Sequence, residues 1–195
     1  MRKATFVLAL IGIVLVGSMS ANAGIWTFHP TPSDLYDLDH YKAYSWGIDL
    51  PEFQEVTEVT LTFYNIQDYT VQDDDILYVQ LLDDAETGVT SYDDGATVGN
   101  YFEGQGVEVN TWFDPDDSST PIDLSWTFSD DLLDDFRNYT SDNHFGLGFD
   151  PDCHYYNDGI ELTVEGAVPE PTTISMMLVG LSMVGGGLYR RRKRK

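Results

Sequence analysis

Five stretches of this chain alternate apolar and polar residues with a period of two, and no other feature restricts the fold as much. In Ile122-Asp123-Leu124-Ser125-Trp126-Thr127-Phe128 every second residue is apolar. Successive side chains of a strand point to opposite faces, so such a stretch buries one face and wets the other. The same pattern runs through Val59-Thr60-Leu61-Thr62-Phe63-Tyr64, through 144–149 and through 160–165. In 107–113, Val107, Val109, Thr111 and Phe113 alternate with Glu108, Asn110 and Trp112, which places Trp112 on the opposite, outward face. Short aromatic-rich segments at 24–28 and 44–48, and the apolar run 76–82 after Asp73-Asp74-Asp75, are further strand candidates. One stretch breaks the period: 130–137 reads as a helix with Ser129 as its N-cap and acids in its first turn. Seven or eight short strands with polar turns predict an all-β domain, an antiparallel β-sandwich of jelly-roll type.

The two ends are built differently. Arg2 and Lys3 precede an apolar stretch of 13 residues, 4–16, and Ala21-Asn22-Ala23 supplies an A-x-A cleavage site. That is a secretory signal peptide, 1–23, too short to span a membrane. At the other end, Pro169 and Pro171 flank Glu170 and hold the backbone extended and accessible, since neither proline can donate to a ladder. The uncharged run 172–189 has 18 residues. As a transmembrane helix it would cover about 27 Å, against roughly 30 Å of hydrocarbon. Six cations, Arg190 to Lys195, then hold the end in the cytoplasm. The chain divides into 1–23, a domain at 24–167 outside the cytoplasm, and the tail 168–195.

The tail resembles the PEP-CTERM sorting signal of bacterial exported proteins: Pro169-Glu170-Pro171, a glycine-bearing span and an arginine cluster, in that order. The resemblance implies handling by an exosortase, an integral-membrane cysteine protease or transpeptidase, and an association with Gram-negative envelopes, exopolysaccharide and biofilm. The domain is also similar to a recurring class of PEP-CTERM ectodomains. That likeness rests on 59–63, on 75–83 and on the closing stretch 148–160, and it implies a fold but nothing catalytic.

Charge is lopsided. Only Lys42 and Arg137 of the ten basic residues lie in 24–167, against 32 acidic ones, which gives the domain a formal charge of −30. So acidic a surface excludes nucleic acid and anionic membrane as partners and favours cations or cationic polymers. Solubility outside the cell is an equally good reason for such acidity. Cys153 is alone, which rules out an intrachain disulfide and fits a buried, inert thiol.

Acids cluster at 73–75, 83–84, 93–94, 114–117 and 150–158. Calcium takes six to eight oxygens, mostly carboxylates and carbonyls. The cluster most in need of a cation is the least exposed, because like charges repel more strongly as the dielectric falls. The loop 150–158 joins two strong strands and interleaves its acids with Phe149, Tyr155 and Tyr156. Asp150, Asp152, Asn157 and Asp158 are therefore the calcium candidates, with Asp75 and Asp83 behind them; a hydrogen-bonded acidic turn without metal is the alternative. No EF-hand is implied, since its sixth position would be Tyr155 rather than glycine. His154 could serve as a metal ligand or base, but no other histidine is near it in sequence and a structural role is the simpler reading. Trp112, as an outward ring beside acids, is the candidate for stacking on a sugar.

There is no G-x-S-x-G, phosphate loop, dinucleotide fingerprint or H-E-x-x-H. Taken together, the expectation is a non-enzymatic, exported, exosortase-processed protein of the envelope or extracellular matrix. It would act as a structural or binding module, with calcium as its possible cofactor and exopolysaccharide as a partner. A polysaccharide hydrolase using paired carboxylates is the alternative.

Overall fold

The computed structural model describes residues 22–51, 55–69, 75–95, 99–113 and 120–168. Most of the expected signal peptide, all of Pro169-Glu170-Pro171 and the expected transmembrane and basic stretches 172–195 lie outside them. The elements in order are β1 Asn22–Phe28, β2 Lys42–Asp49, β3 Glu55–Asp68, β4 Ile76–Leu82, β5 Gly88–Asp93, β6 Gly106–Phe113, β7 Ile122–Thr127, α1 Asp130–Tyr139, β8 His144–Pro151, β9 Tyr155–Tyr156 and β10 Gly159–Val168. Gly24–Ala167 forms one unit.

Two sheets result. One runs β1-β10-β3-β7, with β9 pairing to the end of β3; the other runs β5-β2-β8-β4-β6. With β5 and β9 set aside, the remaining strands pair from the outside inward: β1 with β10, β2 with β8, β3 with β7 and β4 with β6. The chain is in effect one long hairpin whose paired arms are wrapped alternately into the two sheets.

Alternation decides which side chains meet between them. Val59, Leu61, Phe63 and Ile66 of β3, with Ile160, Leu162 and Val164 of β10, are fully buried, as are Leu77, Val79 and Leu81 of β4 and Phe145, Leu147 and Phe149 of β8. All belong to one core cluster. Phe63 and Phe149 meet edge to face across the sandwich at 5.8 Å. Burial of each such side chain stabilises by about 1.5–3 kcal/mol. Thr60 and Thr62, on the wet face of β3, bond the hydroxyls of Thr127 and Ser125 on β7.

The helix starts where Ser129 Oγ accepts from the Leu132 N–H, and its apolar face of Leu132, Leu133 and Phe136 is buried. Phe136 sits edge to face on Phe145 at 4.9 Å and on Phe128 at 5.9 Å. Arg137 reaches from the helix to the Val56 carbonyl with two of its nitrogens, at 3.0 and 2.7 Å.

Trp112 departs from the sequence expectation. Along β6 the register with β4 slips: Val79 faces Asn110, but Gln80 faces Glu108, so Val109 is an extra, bulged residue. A bulge of one residue inverts the alternation beyond it. Trp112 therefore lies opposite buried Leu77 and packs half-buried on the core, its ring 5.4 Å from that of Tyr155.

The outer face of the second sheet is covered as well. Strands β2 and β8 are buried on both faces over nearly their whole length. A second cluster of Ala43, Leu82 and Phe102, flanked by Tyr92 and Tyr101, sits there. Gly148 makes room for it, since a Cβ at that position would lie 2.8 Å from the Phe102 ring.

Candidate metal centre

The segment that closes over β8 also closes over Asp150. This carboxylate, on the same outward face as Gly148, is fully buried. Its Oδ2 accepts from the Tyr101 N–H at 2.6 Å, while Oδ1 is buried with no hydrogen-bond partner. Burial pushes its pKa up to about 7; the Tyr101 N–H opposes this, and the charges of Asp94 and Asp152 add to it. Asp152 donates its N–H to the Ile76 carbonyl at 2.8 Å, and its Oδ1 is likewise buried and unpartnered. Burial raises the pKa of Asp152 too, against hydrogen bonds from Gly99 and Tyr78 and with repulsion from Asp94. Gln80 lies two residues beyond Tyr78, which pairs with Asp150; it is 5% exposed and its Oε1 has no partner. Asp94 and Asp152 thus stand near enough to Asp150 for their charges to act on it, while Gln80, opposite Gly148, leaves a second buried oxygen unpartnered along the same strand pair.

The other two residues proposed from the loop lie elsewhere. Asn157 donates its side-chain N–H to the Asp34 carbonyl at 2.9 Å. Asp158 is exposed and accepts from the Asn65 amide at 2.7 Å. Asp150 and Asp152 are brought together with each other and with Asp94, but not with Asn157 and Asp158. Asp94 stands 56 positions before Asp150, and the strand order β5-β2-β8 brings the end of β5 to the same end of the sheet. Asp83 is exposed. Asp75 is buried beside Asp68 and Cys153, and the ligand atoms of the three lie within 4.8 Å of one another. Cys153 Sγ donates to Asp68 Oδ1 at 3.1 Å, and burial, helped by that bond and by the charge of Asp75, pushes the thiol far up.

A third group involves His154 of the same loop. Leu35, Tyr36, Asp37 and Leu38 all have left-handed backbone angles, with φ between 44° and 59°. Each such residue costs roughly 1–2 kcal/mol, which burial of Leu35 and Leu38 and the hydrogen bonds to the Ser33 and Asp34 carbonyls offset. It carries Asp39 and His40 to His154, and the ligand atoms of these three residues also lie within 4.8 Å of one another. Nε2 of His154 is buried with no hydrogen-bond partner.

A cavity of about 420 Å³ opens between Val56 on β3 and Arg137 on α1, and the single carboxylate lining it is Glu55. Among the described residues no helix is long and apolar enough to cross a membrane.

The family model of the PEP-CTERM protein-sorting motif matches residues 167–194. No curated protein sequence matches the chain. Among solved structures, a recombinantly expressed latent aurone synthase (polyphenol oxidase) is similar at 12% identity and a TM-score of 0.41, over 68% of this chain and 26% of that one. Dimeric latent PorU from Porphyromonas gingivalis is similar at 12% identity and a TM-score of 0.31, over 77% and 14%. The chain thus spans about a quarter or less of the length of these structures. The chain bears the PEP-CTERM protein-sorting motif over residues 167–194, following an antiparallel β-sandwich in sequence.

Proposed function

We propose that this chain is the precursor of an exported protein that an exosortase delivers to the cell envelope or extracellular matrix. There its sandwich acts as a structural or binding module. The observation that carries this reading is the sorting-motif match at 167–194, which begins as the last strand, β10, ends. The order of the blocks favours a signal peptide at 1–23, a transmembrane helix at 172–189 and a cytoplasmic end at 190–195. We read the fold as a jelly roll, supported by the four nested strand pairs and their alternation between sheets.

Calcium is proposed as the stabilising ion, held by Asp94, Asp150 and Asp152 with Gln80 as a neutral oxygen donor. The support is the fully buried Asp150 oxygen that has no partner, together with the charges of Asp94 and Asp152 acting on that carboxylate. Calcium accepts oxygen ligands of this kind, and burial makes an uncompensated carboxylate expensive. Exopolysaccharide is the partner class proposed, with the exposed rings Tyr36, Tyr41 and Tyr69 as candidate contacts in place of the inward-packed Trp112. A non-catalytic role is favoured because Asp150, the described carboxylate raised to about 7, is sealed behind Tyr101.

The test is intact-mass analysis of the protein from cells with and without an active exosortase. Loss of residues 190–195 only where the exosortase is active, and accumulation of the full-length form of Glu170→Ala in the membrane, are the expected results. Retention of 190–195 on the mature surface protein would overturn the sorting reading.

A further inference from the structure

We infer that Asp39, His40 and His154 form a binding site for a divalent transition-metal ion of the zinc class, separate from the oxygen cluster around Asp150. The chemistry selects the ion. Two imidazoles and one carboxylate suit zinc, nickel or copper and are a poor set for calcium or magnesium, which take oxygen. The ligand atoms already lie within 4.8 Å of one another. Zinc bonds of about 2.0–2.2 Å place tetrahedral ligands roughly 3.4 Å apart, so small side-chain rotations complete the set.

Without an ion His154 is poorly satisfied, while Asp39 Oδ1 already accepts from the Tyr41 N–H at 3.1 Å. Nε2 of His154 is buried and has no hydrogen-bond partner. His40 Nδ1 stands 3.7 Å from Asp39 Oδ1, beyond hydrogen-bond length. A cation between them meets all three groups at once.

Both halves of the site are held before any ion arrives. On one side, the left-handed run 35–38 sets the direction of Asp39 and His40, and the Asn157 side chain bonds the Asp34 carbonyl at 2.9 Å. On the other, the His154 ring packs against Tyr69, at 5.2 Å, and Tyr156, at 5.3 Å, which also touch each other at 5.4 Å. The Tyr69 N–H donates to the His154 carbonyl at 2.9 Å, which fixes the backbone under the ring. A strained turn of this kind is retained where the surrounding structure over-determines it. Its effect here is to bring together two histidines 114 positions apart.

The field favours a cation, since Asp37 lies close enough to His154 to interact with it and Asp34 is beside Asp37. Access is open as well, because the side chains of Asp39 and His40 are 39% and 33% exposed. Three protein ligands leave a fourth position for water or for a donor from a bound partner. A bound ion would also pin the connection between β1 and β2 to the one after β8.

The experiment titrates the full chain, purified in detergent, with Zn²⁺ against a chromophoric chelator, and records the visible spectrum with Co²⁺. One ion should bind per chain, with cobalt bands of nitrogen–oxygen ligation. Replacing partners that merely support a metal ligand costs about 10–100-fold in affinity. His40→Ala and His154→Gln, which remove ligands, should each weaken Zn²⁺ binding by about 100-fold or more. His29→Ala should leave it unchanged. His40→Ala decides the matter if His154→Gln misfolds by circular dichroism, because His40 is partly exposed. Unchanged affinity in His40→Ala, no binding of Zn²⁺ by the parent, or a thiolate-to-cobalt charge-transfer band pointing to Cys153 would each overturn the assignment.

Discussion

The backbone N–H of Tyr101 donates to Asp150 Oδ2 at 2.6 Å, and that bond ties the segment carrying Tyr101 and Phe102 to the outer face of β8. One N–H does not replace the water that a charged carboxylate loses on burial. The second oxygen has no partner at all. Asp150 must therefore hold either a proton or a cation, and the covering segment is only as secure as that choice.

With calcium chelated, stability should fall as pH rises. Asp150 has a folded pKa of about 7 against an ordinary 3.8, so the folded state holds a proton that the unfolded state releases. That contribution is fully present below about 3.8 and is lost as pH climbs through about 7, a span corresponding to roughly 4 kcal/mol. Asp37 and Asp152, also raised chiefly by burial, act in the same direction. Denaturant melts in chelator between pH 4 and pH 8 would show it. Asp150→Asn should flatten the profile and be the more stable protein at the alkaline end; an undiminished slope in that variant would assign the effect to other groups.

Gly148→Ala should destabilise by about 1–3 kcal/mol, because a new Cβ would lie 2.8–3.1 Å from three atoms of the Phe102 ring, its Cγ among them. The ring cannot swing aside without lifting the segment that supplies the Tyr101 N–H. Combined with Phe102→Leu, the change should cost less than the sum of the two singles, since the smaller side chain relieves the clash. Strict additivity in that cycle would mean that Phe102 is not what makes position 148 intolerant.

What could be read from the sequence was whatever repeats locally. The alternation in 59–64, 122–128 and 160–165 placed Leu61, Phe63, Leu124, Ile160 and Leu162 on the correct face, and Ser129 caps the helix where its position suggested. The short strands β5 and β9 were not foreseen, because six and two residues carry too little periodicity. Alternation alone puts Trp112 outward, because the bulge at Val109 shifts the phase without any local signature. The acidic loop was found, but not its partners. Asp94 approaches Asp150 through the non-sequential strand order β5-β2-β8, and His40 approaches His154 through a left-handed turn of non-glycine residues. Contacts between distant positions leave no trace in spacing.

Cys153 should resist alkylation in the native protein at pH 8 and react promptly once denaturant is added. It is 3% exposed, and burial with the Asp68 hydrogen bond and the Asp75 charge keeps its thiol protonated. Thiolate, not thiol, is the nucleophile, so access and ionisation both work against reaction. Mass-spectrometric labelling with iodoacetamide measures it. Prompt native labelling, or a disulfide-linked dimer on a non-reducing gel, would contradict the buried position.

Calcium should raise the melting temperature, through the residues the structure gathers rather than those adjacent in sequence. An ion that binds only the folded state stabilises it by RT ln(1 + [L]/Kd), about 2.7 kcal/mol at a hundred times Kd. For a unit of this size that is a shift of roughly 5–10 °C. Asp152→Asn, and Asp94→Asn on the covering side, should lose most of the shift, because each removes a carboxylate that acts on Asp150. Asp158→Asn should keep it, since Asp158 is exposed and engaged with Asn65 instead. Calcium should also displace the Asp150 proton, so the fall in stability with rising pH seen in chelator should shrink or reverse. Melts at matched ionic strength separate site binding from screening of the domain's charge. Equal shifts from sodium and magnesium would leave no specific calcium site, and a shift lost in Asp158→Asn but retained in Asp152→Asn would place the ion on the other side of the loop.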